Sequence, residues 1–407
     1  MLKSNIAWMK KNVPSDLKVW KGMIQDIDWS QVAAKTKLSL QRDKERITAE
    51  FKEFAAMDTS AKIDWLMNGD RHLGYLYKKD AIAFARREWK GLKSVGYDFV
   101  GWLKIWGGML NMVMKDPMSI MLAVFEYHWF ASYLATPAVV DRSVFGRRGK
   151  LLQADFDMWV AITHWAEDLI ANLIMADAKI GGNQKINKRI IMFDEMTMAQ
   201  MMAGFPNLLG IPYQMIPVFM VSEMDQLTLI PYIDAIESYG LPSDTCPLPT
   251  AECGCAVKDE YPMCGQGFIA SSMPCDGSVM ATSFQDRRFS KFMPSYPLCM
   301  PVRYDDEDTT EMAAADMKDC IHWVEGLTGE TWNWDTYFAT MEKMNECTRL
   351  EMEKWEINKT HYPQLVGSSF ELFRKWNYEM DGGLFPEGLK TQRKICKTMM
   401  ETYEKKL

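Results

Sequence analysis

Apolar residues recur at helical spacing through the first part of the chain and in short, strand-length runs through the middle. Trp20, Met23, Ile24 and Ile27 form one stripe, and ERITAEFKEFAAM and KIDWLMNGDRHLGYLYKKDAIAFARREW set charges opposite apolar faces. Residues 1 to about 95 therefore read as amphipathic scaffold helices, with His72 beside Arg71 a surface residue. From Tyr97 to Val140 the chain becomes strongly apolar, and a membrane span has to be weighed. A spanning helix needs roughly 20 apolar residues without charge. Lys104 interrupts the first half, Lys115, Asp116 and Pro117 divide it from the second, and Glu126 and His128 stand near the middle of the second, where hydrocarbon would penalise them by a few kcal/mol. Buried or subunit-facing helices are the better reading, with His128 a satisfied interior residue. DFDMWVAITHWAEDLIANLIMADAKIGG is a further helix with a stop at Gly181 and Gly182. In it His164, Glu167 and Asp168 share one face at a spacing able to ligate a metal. No second helix matches them, which favours a salt-bridged helix face.

After Gly182 the period changes. RIIMFDEM reads as a strand, MTMAQMMAGF as a helix and IPYQMIPVFMV as a second strand; MDQLTLIPYIDAIESYG is a helix ended by Gly240 with Pro242 behind it. A cysteine-bearing loop follows, then the strand GFIASSM, the helix GSVMATSFQDRRF and the strand YPLCMPVRY. Alternation of strands and helices from about 188 to 305 predicts a parallel sheet with crossover helices. Residues 309 to 361 are helical again, split between Gly326 and Gly329 and capped at Asn333 or Asp335, with Cys320 and Cys347 as core thiols. A loop, a break at Gly382 and Gly383 and a charged helix end the chain. The expected fold class is α/β: a Rossmann-like parallel sheet domain with a large helical N-terminal region and a helical C-terminal segment. The expected division is 1–183 helical, 184–308 α/β and cysteine-containing, and 309–407 helices packing on the α/β domain.

Composition narrows the chemistry. A formal charge of -7 over 407 residues, with no basic face, argues against nucleic acid. The N-terminus MLKSNIAWMKKNVP lacks the apolar run of a signal peptide, so a cytoplasmic location is expected. There thiols are normally reduced, the sequon at Asn358 is chance, and clustered cysteines read as a metal or redox site. Thirty-three methionines and fifteen tryptophans suit large buried interfaces, or reflect drift of composition.

Five of the nine cysteines, Cys246, Cys253, Cys255, Cys264 and Cys275, lie in the stretch CPLPTAECGCAVKDEYPMCGQGFIASSMPC. Soft thiolates select zinc or iron–sulfur clusters. The paired C-x2-C knuckles of a zinc site are absent, as is bacterial ferredoxin spacing. The gaps C-x6-C-x-C-x8-C-x10-C fit a cluster held between separate loops with one iron open to substrate, or else thiols with no ligand. In parallel sheets ligands sit beyond the carboxyl ends of strands, where Cys275 falls. Ser243 and Asp244 are candidates to cap or contact the loop, Ser271, Ser272 and Ser278 to donate to a cluster or thioester, and Asp194 and Glu195 to meet a substrate. Each also fits an ordinary turn or cap.

IDAIESYGLPSDTC, FIASSMPCDGSVMATSF and PLCMPVRYDDEDTTEMAAADMKDCIHWVEGLTGETWNWDTYFATMEKMNE, with the opening RIIMFDEMTMAQMMAGFPNLLGIPYQMIPV, resemble the 2-hydroxyacyl-CoA dehydratase and benzoyl-CoA reductase family, and its 2-hydroxyglutaryl-CoA dehydratase D-component kind in particular. The likeness runs over about residues 185 to 405 and rests on the order and spacing of these pieces. It implies that Cys246 and Cys275 are ligands of a [4Fe-4S] cluster. It also implies a related second subunit, an ATP-dependent activator that donates a low-potential electron, and a CoA thioester substrate that is dehydrated through a ketyl radical or reduced in an aromatic ring. Catalytic candidates are Ser272, Ser278 and Glu195. Family members continue into a second α/β domain that supplies a third cysteine, and this chain ends about where that domain should begin. Cys253, Cys255 or Cys264 would then supply the thiolate locally, the first two ranking above the third, or a partner chain would. The alternative is a non-catalytic metal-binding or assembly subunit that keeps the fold.

Overall fold

The computed structural model describes residues 29–68, 92–134, 150–180, 189–193, 199–212, 221, 226–271, 276–289, 293–299, 307–364 and 386–406. The early helices are α1 (Trp29–Ala56), α2 (Thr59–Asn68), α3 (Leu92–Lys115), α4 (Pro117–Glu126), α5 (Phe130–Leu134) and α6 (Lys150–Ala176). The stripe at Trp20 to Ile27 and His72 lie outside the described residues. The charge-and-proline break expected at 115–117 is a helix start: Asp116 caps α4 by accepting from the Ser119 amide, and Pro117 takes a first-turn position that needs no N–H. Among the described residues no helix is long and apolar enough to cross a membrane.

Helix α6 is buried on nearly every side, the pattern of a central core helix. It packs closely on α3 because Gly101 and Gly108 leave room: a Cβ on Gly101 would stand 2.5 Å from Phe156, and one on Gly108 would stand 2.3 Å from both Glu167 and His164. The face bearing His164, Glu167 and Asp168 is therefore a helix contact. His164 Nε2 bonds the Lys104 carbonyl at 2.8 Å and Asp168 pairs with Lys115. Glu167 is buried and meets no hydrogen-bond partner among the described residues, and burial pushes its carboxyl up to about 8. It is held as the neutral acid at neutral pH, because an unpaired buried charge costs far more than a buried carboxylic acid.

The strand-rich part comprises β1 (Arg189–Phe193), α7 (Ala199–Met202), β2 (Leu208–Pro212), a 3-10 turn (Gln226–Leu229), α8 (Ile230–Glu237), α9 (Pro247–Val257), β3 (Gly267–Ser271), α10 (Asp276–Phe289) and β4 (Ser295–Leu298). All pairings are parallel, in the order β2-β1-β3-β4, so the α/β class expected from the alternation is the class found. Two boundaries moved. The second strand occupies LLGIP rather than residues 211–221, of which 213–220 lie outside the described residues. Gly210 explains part of this, since Met202 and Phe193 close over it and a Cβ there would stand 2.7 Å from Met202. The stretch after Cys246, expected to be a loop, is helix α9.

The sheet is covered on both faces, as parallel sheets require. Ile191, Phe193, Ile269 and Leu298 point toward α11 (Glu307–Thr328), packing with Cys320, Val324 and Leu327; the alternate residues Ile190, Met192, Phe268 and Ala270 enter the main core. Helix α12 (Trp334–Asn358) starts at Asn333, whose side chain accepts from the Asp335 and Thr336 amides at 2.9 and 3.1 Å. Its Cys347 is a buried core thiol, as is Cys320. Helix α13 (Pro386–Glu404) closes the chain, packing on α6 and α12.

A buried polar seam joins the helical and strand-rich parts. Lys179, 1% exposed, reaches Glu126 Oε1 at 3.2 Å and also bonds the Asp259 carbonyl, while Arg46 binds the other oxygen of Glu126. Asp177 accepts from the Met263 amide at 2.7 Å, the Lys179 amide at 3.0 Å and the Tyr127 hydroxyl. Glu260 accepts from the Tyr232 hydroxyl at 2.6 Å and the His128 amide at 2.8 Å, and its carbonyl takes the Trp129 indole N–H. Burial pushes the carboxyls of Glu126 and Asp177 up, against the pull of these donors. Removing one partner would leave an uncompensated buried charge, which is why such a seam fixes geometry more than it adds stability.

Candidate functional site

Strand β1 leads to β2 on one side of the sheet and its other neighbour, β3, leads to β4 on the opposite side. The carboxyl ends of β1 and β3 therefore flank the point where the winding diverges, the place where open parallel sheets bind ligands. Phe193 and Ser271 are the last described residues of these strands. Asp194, Glu195, Ser272 and Cys275 follow them in sequence and lie outside the described residues; Ser278 belongs to α10, its side chain outside them too, as is that of Ser271.

Cys246 stands at the start of α9, exposed, at φ -51° and ψ 127° with no side-chain cap bond. The local sequence sets this position. Gly240, at φ 97°, ends the run from α8 in the left-handed region that glycine adopts freely. A turn closed by the Thr245 amide on the Pro242 carbonyl, with Ser243 and Asp244 exposed, leads to the cysteine. Pro247 opens the helix at a position where its missing N–H costs nothing. Pro247 and Pro249 carry no N–H and the Thr250 amide bonds the Cys246 carbonyl at 3.2 Å, so the first turn offers the thiol little beyond the helix dipole.

The other three cysteines of the stretch are inside the protein. Cys253 lies two turns along α9, about 10 Å from Cys246 by helix rise, packed with Ile236 of α8 and Ala281 of α10. Burial and the neighbouring Glu252 push its thiol up to about 12. Cys255 is fully buried in the main core. Gly254 between them is a packing residue: a Cβ there would stand 1.9 Å from the Tyr232 carbonyl oxygen, so α8 and α9 meet backbone to backbone. Cys264 sits under the sheet, its thiol 3.9 Å from Met192 Sδ, and burial beside Asp177 pushes it well above the usual thiol range. The structure does not bring these three to Cys246.

It does place a further exposed thiol at the strand ends. Ser271 pairs with Leu298 as the last rung between β3 and β4, and Cys299 is the next residue, exposed, its amide held at 2.6 Å by Asp316, which also accepts from the Tyr296 hydroxyl. Sequence reasoning passed over it because one cysteine in an apolar strand reads as core; the signal available was its place at the end of the last strand. Among the described residues no three His, Cys, Asp or Glu side chains come together as a metal site. The fit to a cluster is thus partial: Cys246 has the exposure a ligand needs, while Cys253 and Cys264 are enclosed in the core.

Residues 226–406 match the family described as 2-hydroxyglutaryl-CoA dehydratase, D-component, in line with the resemblance noted in the sequence. The match starts at the turn before α8, later than the 185 expected from the resemblance. No curated protein matches the chain.

Proposed function

We propose, with that D-component match as premise, that the chain is a dehydratase-type subunit that holds an iron–sulfur cluster at the carboxyl edge of its sheet and acts on a CoA thioester. Cys246 and Cys275 are the proposed thiolate ligands, and Cys299 takes the third place for which Cys253, Cys255 and Cys264 were candidates. The rung Ser271–Leu298 supports this choice, because adjacent strands run about 4.8 Å apart and Cys299 leaves the sheet beside the chain that leads to Cys275. When bound, the cluster supplies a low-potential electron, received from an ATP-dependent activator, to the thioester. The chain's own contribution is positional: the start of α9 holds Cys246 exposed, where the helix dipole favours an anionic thiolate, and Glu195, Ser272 and Ser278 are proposed polar contacts to the substrate. A related second subunit, a cytoplasmic location and the division at 183 and 308 complete the proposal.

The observation that carries this reading is the exposed Cys246 at a helix start within the family match. Iron and sulfide analysis of anaerobically purified protein tests it, with Cys246→Ala, Cys275→Ala and Cys299→Ala beside the parent. Loss of iron in these three, and retention in Cys253→Ala, is the expected pattern. A second reading is a non-catalytic metal-binding or assembly subunit that keeps the fold; stoichiometric zinc or no metal in the parent protein is its signature.

A further inference from the structure

Helix α3 turns Gly101, Ile105, Gly108 and Met112 toward the interior and leaves its opposite face bare. Phe99, Val100, Leu103, Leu110 and Met114 are between 48% and 64% exposed. With large side chains offering roughly 150–200 Å² each, these exposures leave on the order of 500 Å² of apolar surface along one helix face, against about 800 Å² per partner in a standard protein–protein interface. A patch of this size on a water-facing helix marks an interaction site.

The arrangement of the patch identifies its occupant. Two adjacent rows run along it at heptad spacing, Gly96, Leu103 and Leu110 in one and Val100, Gly107 and Met114 in the other. Nothing among the described residues lies within 4 Å of a Cβ built on Gly96 or Gly107, so both glycines are gaps in the outer surface rather than points of internal contact. When two such helices pack antiparallel about a two-fold axis near residue 105, each layer takes one residue from each row. Leu103 of one copy then meets Gly107 of the other, Leu110 meets Val100, and Met114 meets Gly96. Every large side chain faces a smaller one, and both gaps are filled. Lys104, 100° around the helix from Leu103, stays at the rim.

We propose that this face is an isologous interface, and that a second copy of the chain docks on it through antiparallel packing of α3 on α3. A self-complementary pattern on one helix is what a two-fold contact requires of a single surface, and large residues set opposite small ones give interdigitation at core density. The face lies outside residues 226–406, so the contact is independent of the proposed chemistry.

Sedimentation velocity of the full chain at tens of micromolar tests the proposal, with the parent expected to be a dimer. Gly107→Leu fills a gap that is open within the chain and raises helix propensity, so it should keep the helical circular dichroism and sediment as a monomer; Gly96→Leu should weaken the dimer in the same way. The double variant Leu103→Cys and Gly107→Cys should give, on mild oxidation, a disulfide that peptide mass mapping assigns between position 103 of one copy and 107 of the other. A monomeric parent, a dimer that survives Gly107→Leu, or amide exchange across 96–114 that is equally slow in parent and monomeric variant, as when another part of the same chain or a lipid covers the face, would overturn it.

Discussion

The first turn of α9 and the segment that follows its last turn are built to opposite rules. At the first turn Cys246 is exposed and its side chain takes no part in capping the helix. Beyond the last turn, Asp259, Glu260 and Met263 are tied to Lys179, Tyr232, Trp129 and Asp177 through a seam from which water is largely excluded. Between the two lie Cys253, Gly254 and Cys255, which serve packing. One short helix thus passes from a chemically available end to a mechanically fixed one, and the fixed end gives the free end a constant position relative to the sheet. Residue type alone does not reveal this gradient: three cysteines occur along it, and burial separates them.

Substitutions that move along the helix from its fixed end to its free end should trade a stability effect for a metal effect. The largest loss of stability is expected from Lys179→Met, which removes the cation that bridges Glu126 and Asp259 and leaves a buried carboxylate underpaired; about 3–5 kcal/mol is expected, read from chemical denaturation. Gly254→Ala should cost about 2–3 kcal/mol, since overpacking against the Tyr232 backbone outweighs the roughly 1 kcal/mol that alanine gains in helix propensity. Cys253→Ser should cost about 1–2 kcal/mol, the price of a hydroxyl in an apolar contact. In each of these three the iron content per folded chain should equal that of the parent. Cys246→Ala should change stability by less than about 0.5 kcal/mol, as exposed substitutions do, and should remove iron. Iron loss in Cys253→Ser with Cys246→Ala unaffected would invert the comparison.

Much of the fold was legible. Short β-rich runs alternating with amphipathic stretches predict the parallel sheet, and the cap expected at Asn333 or Asp335 is Asn333. The polar break at Lys115 to Pro117 was recognised as a boundary because charge and proline both oppose a continuous apolar helix. The errors share a cause. Proline and glycine were read as loop formers around CPLPTAECGC, whereas Pro247 sits in a first turn that needs no N–H and Gly254 sits where a neighbouring backbone leaves no room for a side chain. The first is a local helix-start signal that also fits a loop; the second is a tertiary fact. The early placement of β2 follows in part from Gly210 accommodating Met202 and Phe193, which no local pattern encodes.

The presentation of Cys246 by a glycine-ended helix and a short turn was legible, and the exposed place of Cys299 at the strand ends was not, because it depends on which strands are neighbours. Burial of Cys253, Cys255 and Cys264 was equally hidden, since cysteine packs as a small apolar residue as readily as it binds metal. The polar seam left only isolated traces, Glu126 and His128 among apolar residues, because its partners lie 50 to 130 positions away in the chain.

Iron and acid-labile sulfide determination on anaerobically purified parent protein and Cys246→Ala is the most direct test of the central claim. The account predicts a brown parent with about four irons per chain, as a [4Fe-4S] cluster requires, and a colourless, folded Cys246→Ala with almost none. An iron-free parent after strictly anaerobic reconstitution, or a Cys246→Ala protein that keeps its iron, would contradict it.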